Sequence, residues 1–259
     1  MKKNGFTLAE VLITLAIVGV VAALTLPTLT NNTVTAQIGP KLSKAVSAFE
    51  QANQALLQEF TVDSLNQTGL LDFNGNNAGL LNDYINALGN HFKITRITEA
   101  VEEPTNIGNP DTCKVNRFPS VGQPAANGQG AVEIPGSGFT TKDGIAYILV
   151  MSGKLEEDPE TKEESWSVSN NLVGAGPHNQ QLGNVYVDIN GTNNGPNEYG
   201  TDAFVFEWYN DGSLRPVGSG SASASECTWR EHCNVDAAPT DARACAGHVF
   251  ENNLKVRYN

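Results

Sequence analysis

Oxygen-bearing side chains are concentrated in residues 188–202, between two strand-like segments. Calcium binds about six to eight oxygen atoms, and glycines let the backbone curl around the ion. The candidate calcium ligands are Asp188, Asn190, Asn197 and Asp202, accompanied by Asn193 and Glu198. The spacing is not that of an EF-hand, because Tyr199 occupies the position where that loop has its glutamate. The alternative is an ordinary turn-rich loop, in which Asx-turns account for the same residues.

A second kind of chemistry is offered by the cysteines. They are Cys113, Cys227, Cys233 and Cys245. If the chain is exported, an even number of cysteines favours two disulfides, although sequence alone does not choose the pairing. Proximity favours one bridge within the last three, with the remaining cysteine bonded to Cys113. The alternatives are free thiols or a zinc site. Zinc is considered because His232 and His248 lie among the cysteines, but only Cys245 and His248 have a typical ligand spacing.

The residue patterns do not predict an enzyme. His91 and His178 are isolated in the sequence. Gly174 and Gly176 are not followed by the lysine and hydroxyl residue of a phosphate-binding loop. The Gly-Ser pairs after Gly218 lack the strand-turn-helix setting of a nucleophile elbow. We therefore expect no catalytic site and no required cofactor, with calcium as a possible structural ion.

One carboxylate, Glu10, lies near the start of an almost unbroken apolar segment. Residues 6–26 contain no other charged side chain. As a helix the segment would be about 32 Å long, enough to cross a bilayer core of about 30 Å. Lys2 and Lys3 precede it, which orients the N-terminus toward the cytoplasm and the rest outward. A carboxylate is costly in lipid, so we expect Glu10 to have a function. The alternatives are a plain signal anchor with a stray glutamate and an ordinary secretory signal, for which Ala22 and Ala23 could be the cleavage site.

These N-terminal features occur in a fixed order. They are Lys2-Lys3, Gly5-Phe6-Thr7-Leu8-Ala9-Glu10, the apolar segment and Pro27. The order resembles the type IV pilin and type II secretion pseudopilin family over about the first 35 residues. The resemblance implies that a membrane peptidase cleaves after Gly5 and methylates the new amine of Phe6. It also implies that Glu10 neutralises the N-terminal amine of a neighbouring subunit, which makes a buried carboxylate tolerable.

The resemblance implies a structural filament subunit, either of a type IV pilus or of a secretion pseudopilus. Its apolar helix would cross the inner membrane once, with the head outside the cytoplasm and the filament in the periplasm or on the cell surface. The implied partners are other copies or related pilin subunits, a prepilin peptidase and methylase, an inner-membrane assembly platform and the lipid bilayer. Major pseudopilins also have a calcium site in a loop near the C-terminus, similar in type and location to residues 188–202. The alternative function is a membrane-anchored exported binding protein that does not polymerise.

Charge argues against a nucleic-acid partner. The chain has 16 basic and 28 acidic side chains, a net charge of −12. Cleavage after Gly5 would remove Lys2 and Lys3 and leave 14 basic side chains against 28 acidic ones. Such a surface repels phosphates, so we expect no binding to nucleic acid.

Residues 41–60 extend the N-terminal helix with an apolar stripe. The stripe consists of Leu42, Ala45, Val46, Phe49, Ala52, Leu56 and Phe60. Pro27 and Gly39-Pro40 predict kinks or short melted stretches, and Pro40 is also compatible with the first turn of a new helix. The predicted organisation is a leader at 1–5, a transmembrane assembly helix at 6–30, an amphipathic extension at 31–60 and an exported globular head at 61–259.

The head is predicted to be α+β. Residues 80–88 have the pattern of a short helix, and residues 102–138 that of a long loop. The predicted strands are 144–155, 184–190, 203–209 and 213–217. The charged run 156–164 is a solvated loop or, alternatively, a partner-binding patch, and residues 218–225 are a flexible linker. The predicted fold is a long bent N-terminal helix packed on an antiparallel sheet of three to four strands with long loops.

Overall fold

The computed structural model describes residues 7–71, 80–98, 137–151, 153–157, 164–168, 181–191, 194, 199–219, 229–233 and 244–254. The chain divides into two compact units, Met1–Gln37 and Ile38–Asn259. The helices are α1 (Leu8–Phe60), a 3-10 helix (Leu65–Thr68), α2 (Leu80–Leu88), α3 (Trp229–His232) and α4 (Cys245–Glu251). The strands are β1 (Ile94–Thr98), β2 (Ser137–Thr141), β3 (Ala146–Met151), β4 (Gly153–Glu157), β5 (Glu164–Val168), β6 (Gln181–Asp188), β7 (Ala203–Tyr209) and β8 (Leu214–Pro216).

Helix α1 is continuous over 53 residues. It runs through Pro27 and through Gly39-Pro40 without a melted stretch, and no new helix begins at Pro40. A proline costs one backbone hydrogen bond, which the remaining bonds of a long helix can tolerate. The bend predicted at Pro27 stays a prediction.

The C-terminal part of α1 packs through its apolar stripe. Its members up to Leu56 are buried, whereas Phe60 remains 40% exposed at the end of the helix. The ring of Phe49 lies 5.8 Å from Tyr147 of β3 and 6.3 Å from Trp208 of β7. The Tyr147 hydroxyl also donates a hydrogen bond to the Ala45 carbonyl at 3.0 Å. The predicted packing of this helix on the sheet is confirmed.

The main sheet has six antiparallel strands in the order β1-β2-β3-β6-β7-β8. The prediction of three to four strands was therefore wrong. Strand β1 was missed although its sequence, ITRIT, is rich in β-branched residues. Strand β2 was missed because Gly136 and Gly138 suggested that the loop continued, yet Ser137 and Gly138 already belong to β2. Residues 102–136 of the predicted loop lie outside the described residues.

The strand predicted at 144–155 is two strands in different sheets. Strand β3 belongs to the main sheet, whereas β4 pairs with β5 in a separate two-stranded sheet. The charged run 156–164, predicted as a loop, begins in β4 and ends in β5, and its residues 158–163 lie outside the described residues. The linker predicted at 218–225 is described only as far as residue 219, which follows β8 in a turn.

The remaining predictions for the head are confirmed in type and position. Helix α2 and strand β7 have the predicted bounds, while β6 and β8 overlap the predicted segments. Both β6 and β7 are buried along their whole length. The core thus lies between the sheet and the C-terminal part of α1, and the β6–β7 connection emerges at one edge of it.

Candidate functional site

The first turn of α1 is closed by a reciprocal pair of hydrogen bonds between Thr7 and Glu10. The Thr7 backbone N–H and hydroxyl both donate to Glu10 Oε2 at 2.8 Å. The Glu10 N–H donates to the Thr7 hydroxyl at 3.3 Å, and the Thr7 carbonyl accepts the N–H of Val11 at 3.2 Å. This is the capping box in which a threonine and a glutamate three residues later satisfy each other's backbone donors. It keeps the Glu10 carboxylate beside the helix start.

The unit that contains this turn exposes many large apolar side chains. They are Leu8, Val11, Leu12, Ile13, Leu15, Ile17, Val18, Val20 and Val21, each between 42% and 79% exposed. An exposed apolar surface of this extent marks a site that contacts another protein or a membrane. Glu10 is the only carboxylate among them, so any partner that covers this surface must also accommodate its charge.

Three other predicted features of the N-terminus stay predictions: the processing site, the kink and the membrane span. Gly5 and Phe6 lie outside the described residues. Pro27 lies within α1, and its predicted role as a kink stays a prediction. In the described part of the chain, no helix combines the length and the apolar character needed to cross a membrane. The membrane-spanning role of residues 6–30 stays a prediction.

The connection between β6 and β7 brings three of the four predicted calcium ligands together. Asp188 Oδ1 accepts the backbone N–H of Asn190 at 3.0 Å and that of Gly191 at 2.8 Å. The Asn190 side-chain amide donates to Asp202 Oδ2 at 3.2 Å. The fourth predicted ligand, Asn197, lies outside the described residues. The Asx-turn proposed as the alternative is therefore present, and it uses only one oxygen of Asp188.

The second oxygen of Asp188 is the unusual atom of this loop. Asp188 is fully buried, and its Oδ2 has no hydrogen-bond partner among the described residues. Burial raises the pKa of Asp188 to about 7, and the nearby charge of Asp202 acts in the same direction. The N–H bonds from Asn190 and Gly191 oppose that shift by stabilising the carboxylate. A bound cation would compensate the buried charge.

The donor set fits calcium better than a transition metal. Carboxylate and amide oxygens, here from Asp188, Asn190 and Asp202, are the ligands that calcium prefers. Among the described residues, no group of three or more histidine, cysteine, aspartate or glutamate side chains is arranged to hold a metal ion. A calcium ion here would therefore take further oxygens from amides, backbone carbonyls or water.

The structure contains one of the predicted disulfides. Cys233 and Cys245 are bonded, which confirms a bridge within the C-terminal group of cysteines. Cys113 and Cys227 lie outside the described residues, so their predicted role stays a prediction. The zinc alternative was wrong for Cys233 and Cys245, because their sulfurs are bonded to each other. The His248 ring instead packs edge-on against Trp229, with centroids 4.7 Å apart.

Comparison with known families identifies the N-terminal region. Residues 1–26 match the family model of the prokaryotic N-terminal methylation motif. The chain carries a prepilin-type methylation motif. Comparison with curated proteins gave no match, and comparison with solved structures gave none either.

The methylation motif confirms the resemblance to pilins and pseudopilins that the first residues indicate. It supports a processed, pilin-type subunit that is anchored in a membrane and exported. It also implies processing by a prepilin peptidase and assembly with other pilin-type subunits. The match ends at residue 26, so the role of the head rests on its own geometry.

The sequence analysis did not predict two functional features of the described residues. The capping role of Thr7 was overlooked, although threonine followed three residues later by glutamate is a recognisable signal. A cluster of lysines beside the β2–β3 turn was also missed. It joins Lys44 of α1 with Lys93 and Lys142, and only the sheet pairing brings such distant positions together.

Proposed function

We propose that this protein is a structural filament subunit of the type IV pilus or type II secretion pseudopilus kind. Cleavage after Gly5 and assembly through the N-terminal helix are the central steps. The observation that carries the proposal is the methylation motif at residues 1–26, and it is supported by Glu10 in the first turn of a helix with an exposed apolar surface. The subunit has a structural role and no catalytic one.

The N-terminal helix would be held in the inner membrane before assembly and would then move into a bundle of helices from neighbouring subunits. Its apolar side chains stay covered in both environments, so the apolar surface alone does not fix the register. The Glu10 carboxylate would fix the register. An ammonium group within about 4 Å stabilises the carboxylate by about 4 kcal/mol at an effective dielectric constant near 20. The amine of Phe6 on the neighbouring subunit would supply that charge.

The capping box is compatible with this contact. Both Thr7 donors bind Glu10 Oε2, and a carboxylate has a second oxygen for an incoming amine. In the processed chain Thr7 would be the second residue. The Thr7 contact would thus orient Glu10 toward the end of the helix where a neighbouring amine would bind.

We also propose that the β6–β7 connection holds a structural calcium ion. The support is the buried Oδ2 of Asp188, together with Asn190 and Asp202 beside it. The ion would stabilise the head and would take no part in chemistry. Asn197 is proposed as a further ligand.

Mass spectrometry of the N-terminal peptide tests the filament proposal. The protein is purified separately from native membranes and from the sheared surface fraction. A peptide that begins with N-methylated Phe6 in the sheared fraction supports a surface filament, and the same peptide only in membranes favours a pseudopilus. An intact Met1, or cleavage beyond Ala23, would overturn the proposal.

Variants of Glu10 separate a filament subunit from an anchored protein that does not polymerise. Glu10→Gln removes the charge and should abolish assembly while leaving membrane insertion and processing intact. Glu10→Asp keeps the charge and should retain partial assembly. If Glu10→Gln assembles as well as the wild type, charge pairing at this position is wrong.

A further inference from the structure

A groove that contains two aspartates lies between the end of α1 and the β7–β8 turn. It is a cavity of about 580 Å³. Its lining includes the apolar residues Leu57 and Val62 and the acidic residues Asp63 and Asp211. Leu57 is buried and Val62 is half-buried, whereas both aspartates are exposed. The groove thus combines an apolar interior with negative charge at its mouth, and we call it the acidic groove.

The walls of the acidic groove are fixed by hydrogen bonds. The Asn210 backbone carbonyl accepts the N–H of Leu65 at 2.8 Å, and the Asn210 side-chain oxygen accepts that of Asn66 at 2.9 Å. The Gln54 side-chain amide donates to the Asp211 carbonyl at 3.0 Å. These bonds hold the segment after α1 and the β7–β8 turn together. The groove is therefore preorganised, so a partner would not have to order its backbone on binding.

The negative charge of the acidic groove is not neutralised by neighbouring side chains. Among the described residues, neither Asp63 nor Asp211 takes part in an ion pair. Asp211 Oδ1 accepts the N–H of Ser213 at 2.9 Å and its hydroxyl at 2.6 Å, which orients the carboxylate and leaves its charge in place. A lysine suits such a groove, because its aliphatic stem packs on apolar side chains while its ammonium stays at the charged mouth.

The lysine cluster at the β2–β3 turn offers side chains of this kind. Lys142 lies in the turn, and its backbone N–H donates to the Lys93 carbonyl at 2.9 Å, which keeps the two residues side by side. Lys44 is already paired with Asp143 at 2.5 Å. Lys93 and Lys142 are exposed, and in the described part of the chain neither has a carboxylate partner. In a chain of net charge −12, this local positive charge favours an anionic partner.

The lysine cluster and the acidic groove lie at opposite ends of the main sheet. Ala146, the first residue of β3, pairs with Asp188, which pairs in turn with Ala203, the first residue of β7. The β2–β3 turn therefore lies where β7 begins, and the β7–β8 turn lies where β7 ends. The seven residues of β7 separate these ends by about 20 Å. No side chain spans that distance, so the two surfaces of one copy cannot pair with each other.

We propose that the lysine cluster of one copy binds the acidic groove of a second copy, with Lys142 entering the groove and Lys93 at its rim. A contact between two different surfaces of identical subunits is heterologous, and repeated without closure it builds an open helical array. The inference rests on the proposed filament function and names a contact between heads that the N-terminal motif does not specify. Because the charges are exposed, the contact should weaken as salt shortens the Debye length.

Photo-crosslinking between two differently tagged copies of the full chain, produced together in the native cells, tests this contact. The first copy carries benzoylphenylalanine in place of Gln58, an exposed residue of the acidic groove. The expected result is a crosslinked product that contains both tags. Trypsin cleaves after Arg117, Lys142 and Lys154, so the crosslink should lie in peptide 118–142 or 143–154 of the second copy.

Charge reversal in the second copy shows whether the contact is electrostatic. Lys93→Glu with Lys142→Glu should reduce the product about tenfold, because attraction becomes repulsion at two positions. Lys41→Glu, at an exposed lysine of α1 outside the lysine cluster, is the control and should change the yield less than about twofold.

Charge reversal in the first copy should then restore the product. Asp63→Lys with Asp211→Asn makes the groove positive, and the asparagine keeps an oxygen that can accept the Ser213 bonds. Combined with the doubly reversed second copy, it should recover most of the lost product, which a folding defect in either copy would prevent. Asp83→Lys, at an exposed aspartate of α2, adds the same type of charge elsewhere and should recover none.

The outcomes separate this contact from the filament function. An undiminished product with the reversed lysines, an equal loss with Lys41→Glu, or no recovery with the reversed groove would overturn the contact. Wild-type filaments with processed Phe6 but no crosslink to the β2–β3 turn would overturn the contact alone. That crosslink without filaments would overturn the filament function while the contact stands, and absence of both would overturn both.

Discussion

The backbone carbonyl of Leu254 lies directly against Gly39 of α1. A β-carbon on Gly39 would lie 1.9 Å from the Leu254 oxygen, far inside van der Waals contact. Leu254 itself has a φ of 62°, a left-handed conformation that costs a leucine about 1–2 kcal/mol. The Gly39-Pro40 pair, which the sequence suggested as a helix interruption, therefore provides the space in which the C-terminal turn packs on the helix.

Gly39→Ala should destabilise the head by roughly 1–3 kcal/mol, because the added methyl group displaces the Leu254 backbone. In a helix without this contact, alanine in place of glycine stabilises the helix by about 1 kcal/mol. A loss of stability in Gly39→Ala would therefore show that the Leu254 backbone lies against residue 39. We expect the melting temperature, measured by near-UV circular dichroism in detergent, to fall by roughly 3–9 °C. Gly19→Ala is the control, since its β-carbon meets no atom within 4 Å. An unchanged or higher melting temperature for Gly39→Ala would exclude the close contact.

Thr7→Val should loosen the first turn of α1, because valine has the shape of threonine but lacks the capping hydroxyl. Loss of a helix cap costs about 1 kcal/mol, which corresponds to roughly fivefold faster amide exchange in that turn. Hydrogen exchange of the full chain in detergent, followed at the Glu10 amide, measures the effect. Thr7→Ser keeps the hydroxyl and should exchange like the wild type. Equal rates in the two variants would mean that the capping box is not formed.

Local sequence patterns predicted α1, α2 and the central strands, but not α3, α4 or the 3-10 helix. The stripe around Phe49 follows directly from helical periodicity, and β7 follows from its run of aromatic and β-branched residues. Strand β1 has a local signal in its β-branched residues that was overlooked, whereas Gly136 and Gly138 concealed the start of β2. Their pairing across 38 intervening residues is a property of the whole sheet and could not be predicted from either segment.

Some functional residues were recognisable from their neighbours in sequence, whereas others are brought together only by the fold. Glu10 was recognised because its neighbours in sequence form a dense motif. Asp188 and Asp202 were proposed from composition, but only the pairing of Asp188 with Ala203 shows that they lie side by side. The lysine cluster beside the β2–β3 turn was not predicted, because Lys93 and Lys142 approach each other only through the β1–β2 edge of the sheet.

Calcium should raise the melting temperature of the wild type, because an ion that binds only the folded state stabilises it. With a dissociation constant of about 0.1–1 mM, typical of extracellular sites, 5 mM calcium should add roughly 3–6 °C relative to EGTA. Asp188→Asn should abolish this increase while keeping an oxygen that can accept the N–H bonds of Asn190 and Gly191. Asp211→Asn, an exposed carboxylate that binds Ser213, is the control and should respond like the wild type. A calcium response that persists in Asp188→Asn would place the ion elsewhere.

Acid should destabilise the C-terminal region through His248. Burial lowers the pKa of His248 below its usual value of 6.5, partly offset by the nearby charge of Glu251. The unfolded chain therefore takes up a proton that the folded chain resists, so stability falls as the pH drops below about 6.5 and levels off below the folded pKa. Above the unfolded pKa the residue is neutral in both states and contributes no slope.

His248→Gln should flatten this dependence, whatever it does to stability at pH 8, because glutamine does not titrate. Chemical denaturation of the full chain between pH 5 and 8, followed by tryptophan fluorescence, to which Trp229 beside the ring contributes, measures the slope. Asp188, whose pKa burial raises to about 7, adds a slope of opposite sign in the same range, but it does so in both proteins, so the difference between their slopes reports His248. The assignment of this acid sensitivity to His248 is wrong if the variant and the wild type lose stability in parallel over that range.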